Sequence, residues 1–332
     1  MIFHPPILAL IGASALSGSV LAVSAGFAVR LLRKWDPASG SERQIGLERT
    51  TQLVSTVVAF VLVVEAVSLV LFAFNADRMA PLFVGAMCAV GTLNASPWGF
   101  PTLWAKIVVF FAALVWLVID RVDGRTRDYA LIRVKYAGLL VLAPLVLAEA
   151  GIELAYFLDL KADTITSCCG KLFGEGKADI GGDLASLDPR LALWLLGGGL
   201  VATIGLGLAA PRGRLPAVLH GLASLALFGI ALAAIVAAIG PYVYEQPHHH
   251  CPFCILKREY GHIGFALYVP LFVGTGAGLA SGVLAALPAG ASLAAALPAV
   301  RRRAAVVSIA GFALFGLVAA YTILRSGLAL IG

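Results

Sequence analysis

Long apolar runs separated by short polar connections set the pattern of this 332-residue chain. A helix that crosses a bilayer needs about 20 predominantly apolar residues. The pattern therefore predicts an all-α, polytopic membrane protein in which residues 1–332 form a single integral membrane domain. Eight runs are long enough, and we predict spans at 7–30, 51–75, 101–120, 136–157, 190–210, 215–244, 263–286 and 304–328.

Residues 81–95 form a further apolar segment that is too short to cross a bilayer comfortably. We predict a re-entrant or interfacial hairpin on the outer side, because such backbone survives at membrane depth only when it is buried in protein. A kinked extension of the second span is the alternative. A full extra crossing is disfavoured, since it would move the later basic clusters to the opposite side from the first.

The composition supports a lipid environment and argues against nucleic-acid and nucleotide partners. Hydrophobic residues make up 60% of the chain and charged residues 13%, whereas soluble domains carry about 25% charged residues. The net charge of +6 does not indicate nucleic acid, because the basic residues form short clusters between apolar runs. The chain also lacks a phosphate-binding glycine motif, so we predict neither a nucleic-acid nor a nucleotide partner.

The basic residues indicate how the spans are oriented. Alternation of eight spans places fifteen of the 24 lysines and arginines in connections on one side, which the positive-inside rule assigns to the cytoplasm. We therefore predict a multi-pass protein of a bacterial-type inner membrane with both termini outside the cytoplasm. The fifteen are Arg30, Arg33, Lys34, Arg43, Arg49, Arg121, Arg125, Arg127, Arg133, Lys135, Arg212, Arg214, Arg301, Arg302 and Arg303.

Small residues in two spans predict close helix packing. The first span is rich in glycine and serine, and the fifth span contains the triplet Gly197–Gly199. Small side chains let helix backbones approach closely within a bilayer. We expect both groups to lie at helix–helix contacts.

Cysteines and histidines are sorted to the outer side under this topology. They concentrate in two outer loops, residues 158–188 and 245–262, where thiols meet an oxidising compartment. The sorting is the main clue to function. All five cysteines are on the outer side or at its edge, namely Cys88, Cys168, Cys169, Cys251 and Cys254, with five of the six histidines, His4, His248, His249, His250 and His262.

The densest motif runs from Pro247 to Cys254 and reads Pro-His-His-His-Cys-Pro-Phe-Cys. Pro252 suits the first position of a helix, so we expect Cys251 near the N-cap of a helix over 255–260. The helix dipole there, together with Lys257 or Arg258, favours a thiolate. Thiolates carry out thiol–disulfide exchange. We predict Cys251 as the attacking thiol and Cys254 as its resolving partner.

This motif resembles the disulfide-forming quinone reductases of bacterial inner membranes and the vitamin K epoxide reductase group, and its Cys-Pro-Phe-Cys core is similar to glutaredoxin active sites. The resemblance implies that Cys251 and Cys254 pass electrons to a bound quinone. It also implies that Cys168 and Cys169 exchange with a periplasmic thiol protein. The chain departs from those families in its number of spans and in the adjacency of its loop cysteines.

Two other functions fit the same residues. His248, His249 and His250 beside Cys251 and Cys254 offer ligands that suit zinc or copper(I), as in a metal-binding protein or permease. The cysteines could instead form structural disulfides in a membrane assembly subunit. Haem attachment of the CxxCH type is excluded because Ile255 follows the second cysteine.

Four ionisable residues lie inside the predicted spans, where a charge is costly unless it is paired or functional. They are Glu65, Lys106, Glu149 and Glu153. At about 1.5 Å rise per residue these groups share one layer in the outer half of the bilayer. Glu149 and Glu153 face the same side of their helix. We predict either an ion-pair network around Lys106 or a proton path or polar site that serves a quinone.

Overall fold

The computed structural model describes residues 4–36, 39, 41–125, 129–161, 164–166, 186–287 and 291–330. Among these residues, eight helices are long and apolar enough to cross a membrane, which confirms the all-α polytopic fold. We number the α-helices α1 Pro5–Lys34, α2 Glu42–Met79, α3 Ala89–Asn94, α4 Gly99–Asp123, α5 Ile132–Asp159, α6 Pro189–Ala209, α7 Arg214–Ala234, α8 Gly240–Tyr244, α9 Ile263–Ala286 and α10 Ala291–Arg325.

Residue contacts divide the chain into two compact units. Unit 1 comprises Met1–Thr166 and Ala289–Ala296, and unit 2 comprises Ser167–Pro288 and Leu297–Gly332. The sequence-based expectation of one integral membrane domain stays a prediction.

Unit 1 contains four spanning helices, α1, α2, α4 and α5, in which α1 packs on α2 and α5, and α4 packs on the same two helices. Apolar side chains from all four meet in a shared core that includes Leu21, Val58, Val109 and Leu139. At one end the Arg133 guanidinium donates to the Trp35 carbonyl at 3.4 Å. The basic connections after α1 and before α5 therefore lie at the same end of this unit.

The apolar segment 81–95 does not form a ninth span. A 3₁₀ turn over Ala80–Leu82 follows α2, and the segment then forms the six-residue helix α3. Val84 pairs with Ile165 in an isolated bridge. Gly85 has φ +86°, and a Cβ there would lie 2.2 Å from the Thr166 carbonyl oxygen. Only glycine fits this crossing of two backbones.

Unit 2 packs its helices through glycines that differ from those the sequence pointed to. A Cβ on Gly311 of α10 would lie 2.8 Å from Gly274 Cα of α9, and one on Gly221 of α7 would lie 3.0 Å from Gly282 Cα. These backbones are in direct contact, as small residues permit. By contrast, a Cβ on Gly197 or Gly198 would meet nothing within 4 Å.

The prediction of close helix packing was therefore wrong for some of the glycines of the first and fifth spans. Gly12 and Gly26 of the first span are also open at the position of a Cβ, although a Cβ on Gly18 would lie 3.0 Å from the Leu147 side chain. A Cβ on Gly199 would lie at the same distance from the Leu227 side chain. The glycines without neighbours lie on exposed helix faces.

The basic connections of unit 2 also lie at one end. The Arg301 guanidinium donates to the carbonyls of Ala210 and Gly213 at 3.0 and 3.2 Å. Arg214 donates to the Ala286 carbonyl at 2.7 Å. These contacts tie the connection between α6 and α7, and the start of α7, to Arg301 of α10 and to the end of α9. Each unit therefore collects its basic connections at a single end.

Candidate functional site

The Cys-Pro-Phe-Cys segment lies on the connection between α8 and α9 of unit 2. The Cys251 and Cys254 sulfurs are within 4.8 Å of each other. The two residues are 4% and 9% exposed. A disulfide requires an S–S distance of about 2.05 Å, so the pair can close through local movement of its side chains and loop. The structure thus brings together two of the four cysteines predicted as redox residues.

The expected helix after the motif is absent, and that prediction was wrong. Residues 254–260 form two separate 3₁₀ turns, Cys254–Leu256 and Arg258–Tyr260, joined at the extended residue Lys257. Gly261 and His262 then adopt left-handed conformations, with φ of 62° and 57°. These conformations end the turns before α9 begins. No α-helix dipole therefore acts at Cys251.

Two tyrosines hold the backbone around Cys251. The Tyr244 hydroxyl donates to the Cys251 carbonyl, and the Tyr268 hydroxyl donates to the Pro252 carbonyl at 2.8 Å. The Tyr244 ring is stacked on His249 at 3.9 Å between centroids and receives the edge of Tyr260 at 4.6 Å. Partial burial raises the pKa of the Tyr260 hydroxyl. The rings of Tyr244, His249 and Tyr260 therefore form one aromatic cluster beside the motif.

The histidines make structural contacts of their own. His250 Nδ1 lies 2.9 Å from the Val236 carbonyl oxygen. Val236 belongs to a π-helical turn over Ile235–Ile239, where the widened backbone leaves carbonyls available to other groups. His262 Nδ1 lies 2.7 Å from the Leu256 carbonyl oxygen. The first contact fastens the Cys-Pro-Phe-Cys connection to the π-helical turn before it. The second fastens the connection to His262 at the start of α9.

The described residues do not assemble the predicted metal-ligand set. No histidine among them joins Cys251 and Cys254 in a group whose ligand atoms all lie within 4.8 Å. His248 is exposed, and His249 is occupied by its stack on Tyr244. Metal binding through His248, His249, His250 and the two cysteines stays a prediction.

Of the remaining cysteines, Cys88 is the one that lies within the described residues. Cys88 is fully buried in unit 1, at the N-cap position of α3. Cys168 and Cys169 lie outside the described residues, as does most of the predicted outer loop 158–188. Their assignment as a shuttle pair stays a prediction.

The four ionisable span residues of unit 1 form one buried cluster. The Lys106 ammonium lies 2.7 Å from Glu149 Oε1 and 3.2 Å from Glu153 Oε1. It also donates to Ser68 Oγ at 3.1 Å, and Ser68 donates to Glu65 Oε2 at 3.3 Å. The predicted ion pairs of Lys106 with both glutamates are present. A proton path through these residues stays a prediction.

Sequence reasoning missed the hydroxyls of this cluster. Ser14 donates to Glu153 Oε2, and Ser68 bridges Lys106 and Glu65. Both serines are buried within spanning helices. A serine inside an apolar helix has little effect on hydropathy, so only its position opposite a predicted charge would have singled it out.

A second ion pair in unit 1 lies at the basic end and is structural. The Lys135 ammonium lies 2.9 Å from Asp123 Oδ2 and 3.1 Å from Asp120 Oδ1. Asp123 Oδ1 also accepts from the Leu131 amide at 3.0 Å. These contacts fasten the end of α4 to the start of α5.

No known protein family, characterised protein or solved structure matches the chain. Its function is therefore argued from its own residues and their geometry.

Proposed function

We propose that the protein is a membrane thiol–disulfide oxidoreductase in which Cys251 and Cys254 form the redox pair. The observation that carries this proposal is the separation of their sulfurs, which lie within 4.8 Å on a connection anchored by Tyr244 and Tyr268. Two nearby thiols can exchange two electrons by forming and breaking one bond. The anchored loop keeps them together in the reduced state.

The oxidising step balances with a quinone as acceptor. Cys251 first loses its proton and becomes a thiolate. It then forms an S–S bond with Cys254, whose thiol also loses its proton, so the pair gives up two electrons and two protons in all. The quinone takes up both electrons and two protons and becomes a hydroquinone. Because the cysteines are 4% and 9% exposed, a small apolar oxidant suits them better than a protein surface. Lys257 or Arg258 would supply the positive potential that favours the thiolate.

The return step requires a dithiol donor. By the resemblance stated above, a periplasmic thiol protein would pass two electrons to Cys168 and Cys169, and these would reduce the Cys251–Cys254 disulfide. The net reaction oxidises two thiols of the donor to a disulfide and reduces one quinone.

The proposed orientation follows from the basic connections. Each unit collects them at one end, and the positive-inside rule assigns that end to the cytoplasm. The Cys-Pro-Phe-Cys connection would then face the outside of a bacterial-type inner membrane. Both termini would lie on the same outer side.

The test is a single-turnover reaction of the purified, reduced protein. After removal of reductant it is mixed with a benzoquinone that is substituted at every ring position, so that no thiol can add to the ring. With one quinone supplied per chain, we expect one hydroquinone formed and two thiols lost per chain. Cys251→Ser and Cys254→Ser should each abolish both changes. The double variant Cys168→Ser, Cys169→Ser should keep this first turnover and lose turnover with a soluble dithiol.

Other outcomes would overturn the proposal. Hydroquinone formation that persists in Cys251→Ser would show that these thiols are not the donors. Stoichiometric zinc or copper in the purified protein, protecting both thiols from alkylation, would support the metal-binding alternative. If the protein neither reduces the quinone nor contains bound metal, a structural role in a membrane assembly is the remaining function.

A further inference from the structure

The buried cluster of unit 1 carries more negative than positive groups. Glu65 of α2 and Glu149 and Glu153 of α5 surround the single ammonium of Lys106 on α4, while α1 contributes the Ser14 hydroxyl. All of these residues are buried. With every group ionised, the cluster would carry a net charge of −2.

Two carboxylate oxygens in the cluster have neither a hydrogen-bond partner nor an ion-pair partner among the described residues. They are Oε1 of Glu65 and Oε2 of Glu149, both inaccessible to solvent. A buried, ionised carboxylate left unpaired costs several kcal/mol. A carboxylic acid avoids that cost, and its hydroxyl can donate to a neighbouring oxygen.

Electrostatic repulsion among the carboxylates also favours their protonation. Two like charges about 4 Å apart repel by about 4 kcal/mol at an effective dielectric constant near 20. Lys106 compensates one carboxylate, because it pairs with Glu149 and Glu153 at once. A stable cluster therefore retains protons on the remaining carboxyls. Sodium is disfavoured here, since the ammonium already fills the centre of the cluster.

A groove leads to this cluster from the surface of unit 1. It has a volume of about 210 Å³, runs between α1 and α5, and is lined by Ser14, Gly151, Glu153 and Leu154 among others. Gly151 and Leu154 are exposed, whereas Ser14 and Glu153 are buried at its polar end. Several water molecules would fit, at about 30 Å³ each.

We propose that Glu65, Glu149 and Glu153 form a proton-binding site with Lys106 as its fixed counter-charge, and that the groove at Glu153 is the route by which protons and small apolar reagents reach it. The Ser14 hydroxyl, which donates to Glu153, relays the proton between carboxyl and groove. This site does not depend on the thiol chemistry proposed above.

The test uses dicyclohexylcarbodiimide on the full-length protein in lipid vesicles. A protonated carboxyl adds across a C=N bond of this apolar reagent. The acid proton moves to nitrogen, the carboxyl oxygen bonds to the central carbon, and rearrangement gives a stable acylurea. Protons exchange among the three carboxyls, and Glu153 is the one of the three that lines the groove. We therefore expect an adduct on Glu153, located by peptide mapping, whose yield falls as the pH is raised. A hydrophilic carbodiimide should not modify Glu153.

Three variants sharpen the test. Glu153→Gln should remove the adduct. Gly151→Leu should lower its yield several-fold by filling the groove, since a Cβ there meets nothing within 4 Å. Gly26→Leu is the matched control, because Gly26 is equally open but does not line the groove. It should label like the unsubstituted protein.

The result that overturns the site is absence of labelling at Glu153 in folded protein across the pH range. Equal labelling of Gly151→Leu and Gly26→Leu would overturn the route. An infrared difference spectrum between acidic and alkaline samples provides an independent measurement. It should show the carbonyl stretch of a protonated carboxylic acid, diminished in Glu149→Gln and in Glu153→Gln. A spectrum in which these variants remove nothing would contradict the proposal.

Discussion

Tyr244 and Tyr268 act on adjacent carbonyls of the redox motif. Tyr244 donates to the carbonyl of Cys251 and Tyr268 to that of Pro252. A net contribution of about 1 kcal/mol is typical of each such hydrogen bond. Their joint effect is to restrict the backbone between the two cysteines and to keep both thiols buried.

Tyr268→Phe should loosen this restraint without removing the ring. We expect Cys251 and Cys254 to react several-fold faster with a maleimide, and the free energy of unfolding to fall by about 1 kcal/mol. Tyr321→Phe is the control, because the Tyr321 hydroxyl meets only the exposed Arg325 among the described contacts. Equal thiol reactivity in the two variants would contradict the role given to Tyr268.

Lys106→Met should destabilise the protein in a pH-dependent way. It leaves buried carboxyls without their counter-charge, a change that typically costs about 3–5 kcal/mol. The loss should be larger at alkaline pH, because protonated carboxyls tolerate removal of the ammonium. Thermal unfolding at several pH values measures it, with the exposed Lys161→Met as control. A loss of stability independent of pH would argue against bound protons.

At this scale the sequence predicted chemistry better than geometry. The spacing of Cys251 and Cys254 was sufficient to expect neighbouring thiols, and the depth of Lys106 was sufficient to expect its glutamate partners. The hydrogen bond of Tyr268 could not be predicted, since Tyr268 lies on α9 and reaches back to Pro252 on the preceding connection. The helix expected after Cys251 does not form because Lys257 is extended and separates two short 3₁₀ turns. Gly261 and His262 then adopt left-handed conformations before α9, which residue preferences indicate only weakly for histidine.

The elements of unit 2 are held together where glycines meet. On α9, Gly274 faces Gly311 of α10, and Gly282 faces Gly221 of α7. Gly278 lies between them on the same face and would place a Cβ 2.0 Å from Ser224 Oγ. The spacing of four residues aligns these glycines along one stripe of the helix. The helices can therefore approach to backbone contact.

Gly311→Ala should test this packing. Its methyl group would meet Gly274 Cα and the Pro270 carbonyl oxygen, both at 2.8 Å, and neither backbone atom can rotate away. Overpacking of this kind costs about 1–3 kcal/mol. We expect a lower melting temperature in detergent, whereas Gly205→Ala, with nothing within 4 Å, should be neutral. Identical melting temperatures would contradict the packing.

Helix boundaries show where hydropathy stops being informative. The second predicted span begins at residue 51, but α2 begins at Glu42. The last predicted span begins at residue 304, but α10 runs through Arg301–Arg303 from Ala291. In both cases a polar, charged stretch continues the helix beyond its apolar part. An apolar window detects the lipid-compatible section and not the helix itself.

At the scale of the whole molecule, the arrangement of basic residues gives the clearest expectation. In unit 2, Arg301 and Arg214 bind carbonyls at one end, while the redox connection joins the other ends of α8 and α9. The apolar runs of the sequence were sufficient to predict the number of spans. It did not indicate the division into two units, because that depends on which helix faces touch.

A pair of added cysteines should report the orientation. Gln246→Cys, beside the redox motif, should gain one label from a membrane-impermeant maleimide in intact cells. Arg302→Cys should gain a label only after the membrane is opened. Both positions are exposed, so accessibility to water does not distinguish them. The reverse labelling pattern would place the redox motif in the cytoplasm and contradict the proposed orientation.

The central claim is that Cys251 and Cys254 form a reversible disulfide. Trypsin releases both on one peptide, Leu215–Lys257, which contains no other cysteine. Membranes would be treated with quinone or with reductant, quenched in acid and alkylated, and the mass of this peptide measured. After treatment with quinone, we expect the peptide to contain an internal disulfide and no alkyl groups. After treatment with reductant, we expect it to carry two alkyl groups. Two alkyl groups under both conditions, in folded protein, would contradict it.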